Sequence, residues 1–281
     1  MRPEVLGVLG LGVVGGSAAW AARSAGVPRV VGWAASRADG TAALRAAAID
    51  DLADRADRAV RGASVILLAD APTELDAVLR RVALHLPVTA TLLLCSEVHS
   101  AALASAASLG LADRTAALHP MGEAVGPGFQ GAAPDRFQGR ITYVSAADTE
   151  AGHRAARTAM SFVEEVLGGA PVLIDPARHD EQVAWTRHLP SATLSVLAHL
   201  LEGRGLGGVT WGAAARLARE GMPADPVAGS EVILANRAAV ARALEALAGD
   251  LEALRRSVSE GDAAGVRAFF EAAARFRPGA S

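Results

Sequence analysis

The sequence contains no lysine. All 27 of its basic residues are arginine, set against 30 Asp and Glu. Such a balance offers no positive field to nucleic acid or to an anionic membrane, which excludes those partners on electrostatic grounds. Cysteine occurs once, at Cys95. An intrachain disulfide is therefore impossible, and a lone thiol fits a reducing cytoplasm. Asparagine is equally scarce, present only as Asn236. Together with the abundance of alanine, the missing lysine points to GC-rich coding bias rather than to design. No stretch approaches the roughly 18 uninterrupted apolar residues of a membrane span, and the chain enters a strand pattern without a signal-peptide pattern. No CxxC or HExxH spacing occurs, so no metal site is expected. The expectation is a cytoplasmic globular protein.

What is present begins with glycine. An apolar run, Val5–Leu9, leads into Gly10-Leu11-Gly12-Val13-Val14-Gly15, and an alanine-rich helical stretch, Ser17–Ser24, leaves it. In a strand-to-helix turn the first glycine permits the tight bend. The second lets backbone N–H groups approach a pyrophosphate, and the third lets helix and strand pack closely. The pattern predicts that Gly10, Gly12, Val13, Val14 and Gly15 hold NAD or NADP, against the alternative of a glycine-rich turn without a ligand. The residue that normally holds the ribose 2′-hydroxyl is an acid at the end of the second strand. Here that strand ends Trp33-Ala34-Ala35-Ser36-Arg37, with Ala34 in the acid's place. Ser36 and Arg37 are candidates to accept a 2′-phosphate, a lean towards NADP, while Arg37 as a solvated loop charge is the bland alternative.

At 281 residues the chain has room for one large domain or two ordinary ones. Strand patterns fall at 5–9, 29–33, 65–68, 91–94, 116–118, 141–144 and 172–174, with helical patterns between several of them. This alternation predicts a doubly wound, mostly parallel sheet, an α/β Rossmann-type domain over 1–175. Beyond Asp175 strand signals stop, and 176–281 reads as an all-helical domain with one long helix over 230–259. An apolar helical domain of this kind suits a homodimer interface, with a self-contained bundle as the alternative.

Two clusters stand out beyond the glycine loop: Leu118-His119-Pro120-Met121-Gly122 and Arg187-His188-Leu189-Pro190. With these the chain resembles the prephenate and arogenate dehydrogenase family. Gly10 to Ser17 is similar to that family's GLGLIGGS loop, and His119-Pro120-Met121 to its HPM signature. Asp135-Arg136-Phe137-Gln138-Gly139 is similar to its D(L/R)F(E/Q)G motif. Ala215-Arg216-Leu217-Ala218, Asp225-Pro226 and Ile233-Leu234-Ala235-Asn236-Arg237 follow its C-terminal segment.

The resemblance implies oxidative decarboxylation of a small cyclohexadienyl substrate. Hydride leaves ring carbon 4 for the nicotinamide while His119 takes the proton from the substituent there, and loss of CO₂ then makes the ring aromatic. An imidazole suits that work, since its ordinary pKa lies near neutrality. His188 maps close to substrate and nicotinamide, although a capping or packing histidine before Pro190 is the alternative. Arg216 maps onto the arginine that grips a substrate carboxylate, a task suited to a planar bidentate fork. Trp211 is a core or interface anchor, or lines the pocket beside that arginine. His85, His153, His179 and His199 have no partner at ligand spacing and read as solvated or packed.

The departures from the family gather around the substrate. Where the family has D-x-(G/T)-S-V-K, this chain has Leu94-Cys95-Ser96-Glu97-Val98-His99. Anchoring on Val98 puts Glu97 at the serine position and His99 at the lysine position, and a slip of one residue rescues Ser96 instead. A carboxylate facing carbon 4 suits an amine there, as in 4-amino-4-deoxyprephenate. Glu97 as a cap of the helix near His99 is the alternative. Glu123 and its neighbours rearrange the stretch after HPM, Ser191 replaces the second histidine of HLPH, and extra residues surround Glu220–Pro223. Two other functions stay open. One is another two-domain NAD(P)-dependent dehydrogenase or imine reductase, whose commonest version needs a lysine. The other is a nucleotide-binding regulatory protein without catalysis.

Overall fold

The computed structural model describes residues 2–69, 72–122, 126–205, 221–223 and 225–275. Its centre is an eight-stranded sheet in the order β3-β2-β1-β4-β5-β6-β7-β8. The strands are β1 Val5–Leu9, β2 Arg29–Trp33, β3 Asp51–Leu52, β4 Val65–Leu68, β5 Thr91–Cys95, β6 Thr115–Pro120, β7 Ile141–Ala146 and β8 Ala170–Leu173. All neighbours pair in parallel except β6 and β7, which run antiparallel with His119 opposite Tyr143.

The inner strands are apolar without alternation because both faces are covered. In β4, Val65 and Leu67 face one core while Ile66 and Leu68 face the other, and β5 divides Leu93 and Cys95 from Leu92 and Leu94 in the same way. The first core is closed by α1 Val13–Ser24, α2 Arg37–Arg45 and α6 Glu150–Phe162. The second is closed by α3 Ala56–Ala59, α4 Pro72–Val82 and α5 His99–Ser108. Period-two side-chain direction combined with burial on both sides produces the continuous apolar runs of a parallel sheet. Cys95 is buried with its thiol pushed up to about 12 by loss of solvation, so it is no thiolate.

The chain divides into two compact units, Met1–Val183 with Pro223–Asn236, and Ala184–Met222 with Arg237–Ser281. The first unit thus continues past the expected boundary at Asp175. It includes α7 Pro176–Val183 and takes back α9 Pro226–Ala235. Packing explains both extensions: the carboxylate of Asp180 on α7 accepts from the backbone N–H groups of His99 and Ser100, and α9 packs on α4. The second unit holds α8 Leu189–Glu202, α10 Arg237–Glu260 and α11 Ala263–Ala274, and buries few side chains. The single long helix expected over 230–259 is instead two, α9 and α10, interrupted at Asn236. Asn236 leaves helical geometry (φ −105°, ψ 26°) and its side chain donates to the Asp180 carbonyl at 2.7 Å, a contact that outweighs the helical propensity on either side. No helix among the described residues is long and apolar enough to cross a membrane.

Candidate functional site

Parallel strands bring their C-terminal ends to one edge of the sheet, where α/β folds place ligands. The glycine loop follows β1, and Ser36 and Arg37 follow β2. Ser96 and Glu97 follow β5, and His119 is the penultimate residue of β6.

Gly10 adopts φ +87°, a left-handed conformation open to glycine, and its N–H donates to the Trp33 carbonyl at 2.9 Å. A Cβ on Gly15 would collide with the Gly10 carbonyl, so the third glycine is what lets α1 lie against β1. Gly12 behaves differently, since a Cβ there would meet nothing within 4 Å. Gly12 is also the N-cap of α1, with no side-chain cap and no acid in the first turn. An open, uncapped helix start beside Val13 and Val14 fits a pyrophosphate, whose charge would satisfy the first-turn amides. Ser17 ties this helix to the Asp135–Gly139 motif. Its hydroxyl donates to the Val13 carbonyl at 2.6 Å and accepts from Arg136 Nε and Ala133 N–H, both at 3.0 Å. That motif therefore braces the glycine loop from outside.

At the tip of β2, Ala34 presents no carboxylate. Ser36 caps α2, accepting from Asp39 N–H at 3.2 Å, and Arg37 stands exposed at the first helical position. Asp39 is turned away to accept from Phe129 N–H at 2.8 Å.

The structure gives His179 a very different setting from the bland one expected. It is fully buried on α7, with Nε2 3.1 Å from Nδ1 of His119 and Nδ1 3.0 Å from Oδ1 of Asp180. The contact joins residues 60 positions apart, so spacing along the chain could not show it. Asp180 is also buried. Burial alone would raise its pKa, but hydrogen bonds from His179 and from the Ser100 and His99 amides hold the carboxyl below its ordinary range. Being ionised, it accepts only, so His179 Nδ1–H donates to Asp180; with a neutral imidazole at His179, its Nε2 then accepts from His119 Nδ1–H. The lone pair of His119 is thereby assigned to Nε2. A third buried ring, His99, stacks on His179 with centroids 3.6 Å apart and planes 8° apart. Rings laid flat on one another do not converge their nitrogens. Among the described residues no group of three or more His, Cys, Asp or Glu is arranged to hold a metal ion.

Ser96 is engaged in its own turn, accepting from Val98 N–H at 3.1 Å and donating to the Val98 carbonyl at 3.0 Å. Glu97 is half-buried beside it. The first amides of α5, at His99 and Ser100, are taken by Asp180 at 2.7 and 3.0 Å, so these two amides are capped from α7. His188 is buried in the second unit. Trp211 and Arg216 lie outside the described residues.

No protein-family model and no curated protein matches the sequence. Solved structures do. Prephenate dehydrogenase from A. aeolicus, in complex with hydroxyphenyl propionate and NAD+, has a TM-score of 0.86 at 19% identity, covering 96% of each chain. Synechocystis arogenate dehydrogenase has a TM-score of 0.78 at 22% identity, covering 95% of this chain and 96% of its own. The chain has the prephenate dehydrogenase fold. A pyrroline-5-carboxylate reductase from Coxiella burnetii is more distant, with a TM-score of 0.53 at 15% identity, covering 87% of this chain and 98% of its own. The prephenate dehydrogenase fold thus accounts for this chain over nearly its whole length, helical region included.

Proposed function

We propose that the chain is a nicotinamide-dependent dehydrogenase that oxidatively decarboxylates prephenate, or its close analogue 4-amino-4-deoxyprephenate, to an arylpyruvate. One observation carries the reading most directly: His119 lies near the C-terminal end of β6 on the sheet edge that bears the uncapped glycine loop, and is tied through His179 to an ionised Asp180. The dinucleotide, held by Gly10, Gly12, Val13, Val14 and Gly15, supplies the hydride acceptor. His119 Nε2 takes the proton from the substituent on ring carbon 4 as hydride leaves that carbon. The charge then formed on its ring is balanced through His179 by Asp180. Loss of the ring carboxylate as CO₂ leaves its electron pair in the aromatic ring. The phenolate formed from prephenate recovers the proton from His119, whereas an amine bound as its ammonium gives up that proton before hydride leaves and ends as the neutral arylamine. His188 is assigned to the substrate's surroundings, Arg216 to a carboxylate and Trp211 to the pocket wall. Hydroxyphenyl propionate, an aromatic ring with a carboxylate side chain, is bound together with NAD+ in the A. aeolicus enzyme, which supports a product of that shape.

The half-buried Glu97 on the same edge favours the amine substrate, because a carboxylate pairs with an ammonium by a charge-assisted hydrogen bond. Ser96, satisfied within its turn, is the weaker candidate for that contact. Cofactor choice leans to NADP through Ala34, Ser36 and Arg37. The helical unit is assigned to a homodimer. Leu251 and Val258 of the heptad-spaced stripe Leu244, Leu247, Leu251, Leu254, Val258 on α10 are 53% and 62% exposed, more apolar surface than one helix ordinarily leaves in water.

The test is a panel of prephenate and 4-amino-4-deoxyprephenate against NAD⁺ and NADP⁺, repeated with Glu97→Ser. Reduction of either dinucleotide with CO₂ release is expected, with kcat/KM favouring the amine and the preference reduced by the swap. Dinucleotide binding without turnover of either substrate would leave a nucleotide-binding regulatory protein.

A further inference from the structure

The His119–His179–Asp180 chain needs His179 held in one plane. An imidazole ring turns about a broad torsion, and rotation out of its present plane would carry Nδ1 and Nε2 of His179 away from Asp180 and His119. Hydrogen bonds at its two nitrogens define the direction along the ring, but what bears on its face is His99. The two rings lie 3.6 Å apart and 8° from parallel, both fully buried.

The plane of His99 is itself anchored. Its Nδ1 lies 2.7 Å from Ser145 Oγ, and that hydroxyl donates to the Ile174 carbonyl at 2.7 Å. The serine has one hydrogen and spends it on Ile174, so Oγ accepts and His99 carries its proton on Nδ1. Its backbone N–H is fixed too, donating to Asp180 at 2.7 Å. His99 therefore grips the same carboxylate that orients His179. Burial, then the neighbouring rings of His179 and His119, push its pKa well below the ordinary value, so the plate stays uncharged. The other groups facing the cluster are Tyr143, edge-on to His179 at 5.5 Å, and Asn236, whose side chain donates to the Asp180 carbonyl.

We propose that His99 is a positioning residue for the His119 base: stacked on His179 and anchored by Ser145, it fixes the plane of His179 and thereby the nitrogen on which His119 keeps its lone pair. Without the plate His179 rotates, the acceptor for His119 Nδ1–H is lost part of the time, and the base divides between tautomers. The kinetic part of this inference rests on the proposed dehydrogenase reading. The tautomer part does not.

The test uses the full-length protein labelled with ¹⁵N at histidine. In the wild type the imidazole spectrum is expected to show His119 protonated at Nδ1 and unprotonated at Nε2 around neutral pH. His99→Ala should convert this to a mixture of tautomers, and with prephenate should lower kcat by about 10–100-fold while KM and dinucleotide binding hold. His99→Phe restores a flat ring without the Nδ1 bond and should recover the single tautomer and most of the turnover. If the alanine variant fails to fold, His99→Leu fills the volume without a plate and is read in the same way. A single, unchanged His119 tautomer in a folded Ala or Leu variant overturns the proposal, as does a Phe variant that behaves like Ala. Should the wild type turn over no substrate, the dehydrogenase reading fails and the spectra still decide the role of His99.

Discussion

Nδ1 of His119 lies 3.1 Å from Nε2 of His179, with the two rings nearly perpendicular at 80°. Lone pair and N–H can meet head-on in that arrangement; Asp180 on the far side holds the Nδ1 proton of His179, so a neutral His179 accepts from His119 at Nε2. The relay is thus a directional device with a defined acceptor end.

Replacing either end should separate chemistry from binding. His119→Asn is expected to cut turnover by roughly 10²–10⁴, the usual worth of a positioned base, with dinucleotide binding retained. Asp180→Asn should cost a comparable factor, roughly 10²–10⁴, because an amide cannot accept at every oxygen position and the tautomer order is lost. It should also lower stability by about 1–3 kcal/mol, since the His99 and Ser100 amides lose a charged acceptor. Near wild-type turnover at saturating substrate in the His119 variant would remove it from the mechanism.

Two glycines of the loop should fail in different ways. Gly12→Ala places a methyl group in open space, so the folded protein should melt as the wild type does. That methyl lies where a pyrophosphate would approach, and dinucleotide Kd should rise by at least about tenfold. Gly15→Ala drives a Cβ into the Gly10 carbonyl and should destabilise the fold by about 1–3 kcal/mol. Thermal melting together with dinucleotide titration distinguishes the two. Unchanged affinity in the Gly12 variant would argue against a pyrophosphate at this loop.

Arg37 is exposed at the start of α2, with no carboxylate at Ala34 beside it. Wild-type protein should bind NADP⁺ more tightly than NAD⁺, and Arg37→Ala should erode that preference by about tenfold through loss of a charge-assisted pair. Ala34→Asp should reverse it by restoring the ribose acceptor and repelling a 2′-phosphate. Calorimetric titration of the two dinucleotides reads both effects. An NADP⁺ to NAD⁺ affinity ratio that Arg37→Ala leaves unmoved identifies Arg37 as a solvated charge.

Stability should fall on mild acidification. The pKa of His99 lies well below its ordinary value in the folded protein. Below about pH 6.5 the unfolded chain binds a proton there that the native state refuses, so stability drops by about 1.4 kcal/mol per pH unit until the folded pKa is reached. Asp180 acts in a separate, more acidic window. Its folded pKa is depressed, so its contribution is present above the ordinary carboxyl range and is lost as pH falls through the folded value. Urea unfolding at about pH 7.5 and about pH 5.5 measures the first slope, which His99→Phe should flatten by one proton. Equal slopes in wild type and variant would mean that His99 already carries charge.

The sequence by itself determined whatever depends on neighbours along the chain. The strand at Val65–Leu68 is apolar throughout because both its faces are covered, and that pattern is written in consecutive residues. The loop Gly10–Gly15 is equally local, with Gly10 required by its left-handed bend and Gly15 by close approach to the Gly10 carbonyl. Asp51–Leu52 carries no strand signal in the sequence, because two residues are too few for a periodicity. The direction of β7 was not written locally either, since an antiparallel strand beside β6 has the same apolar residues as a parallel one. Only the tertiary structure made His179 the partner of His119, gave the α5 amides to Asp180, and broke a continuous helical pattern at Asn236. Each of those is a hydrogen bond between groups 56 to 81 residues apart. A buried polar group must find a partner wherever the fold brings one, and the choice of partner is a property of the packed core rather than of the local chain.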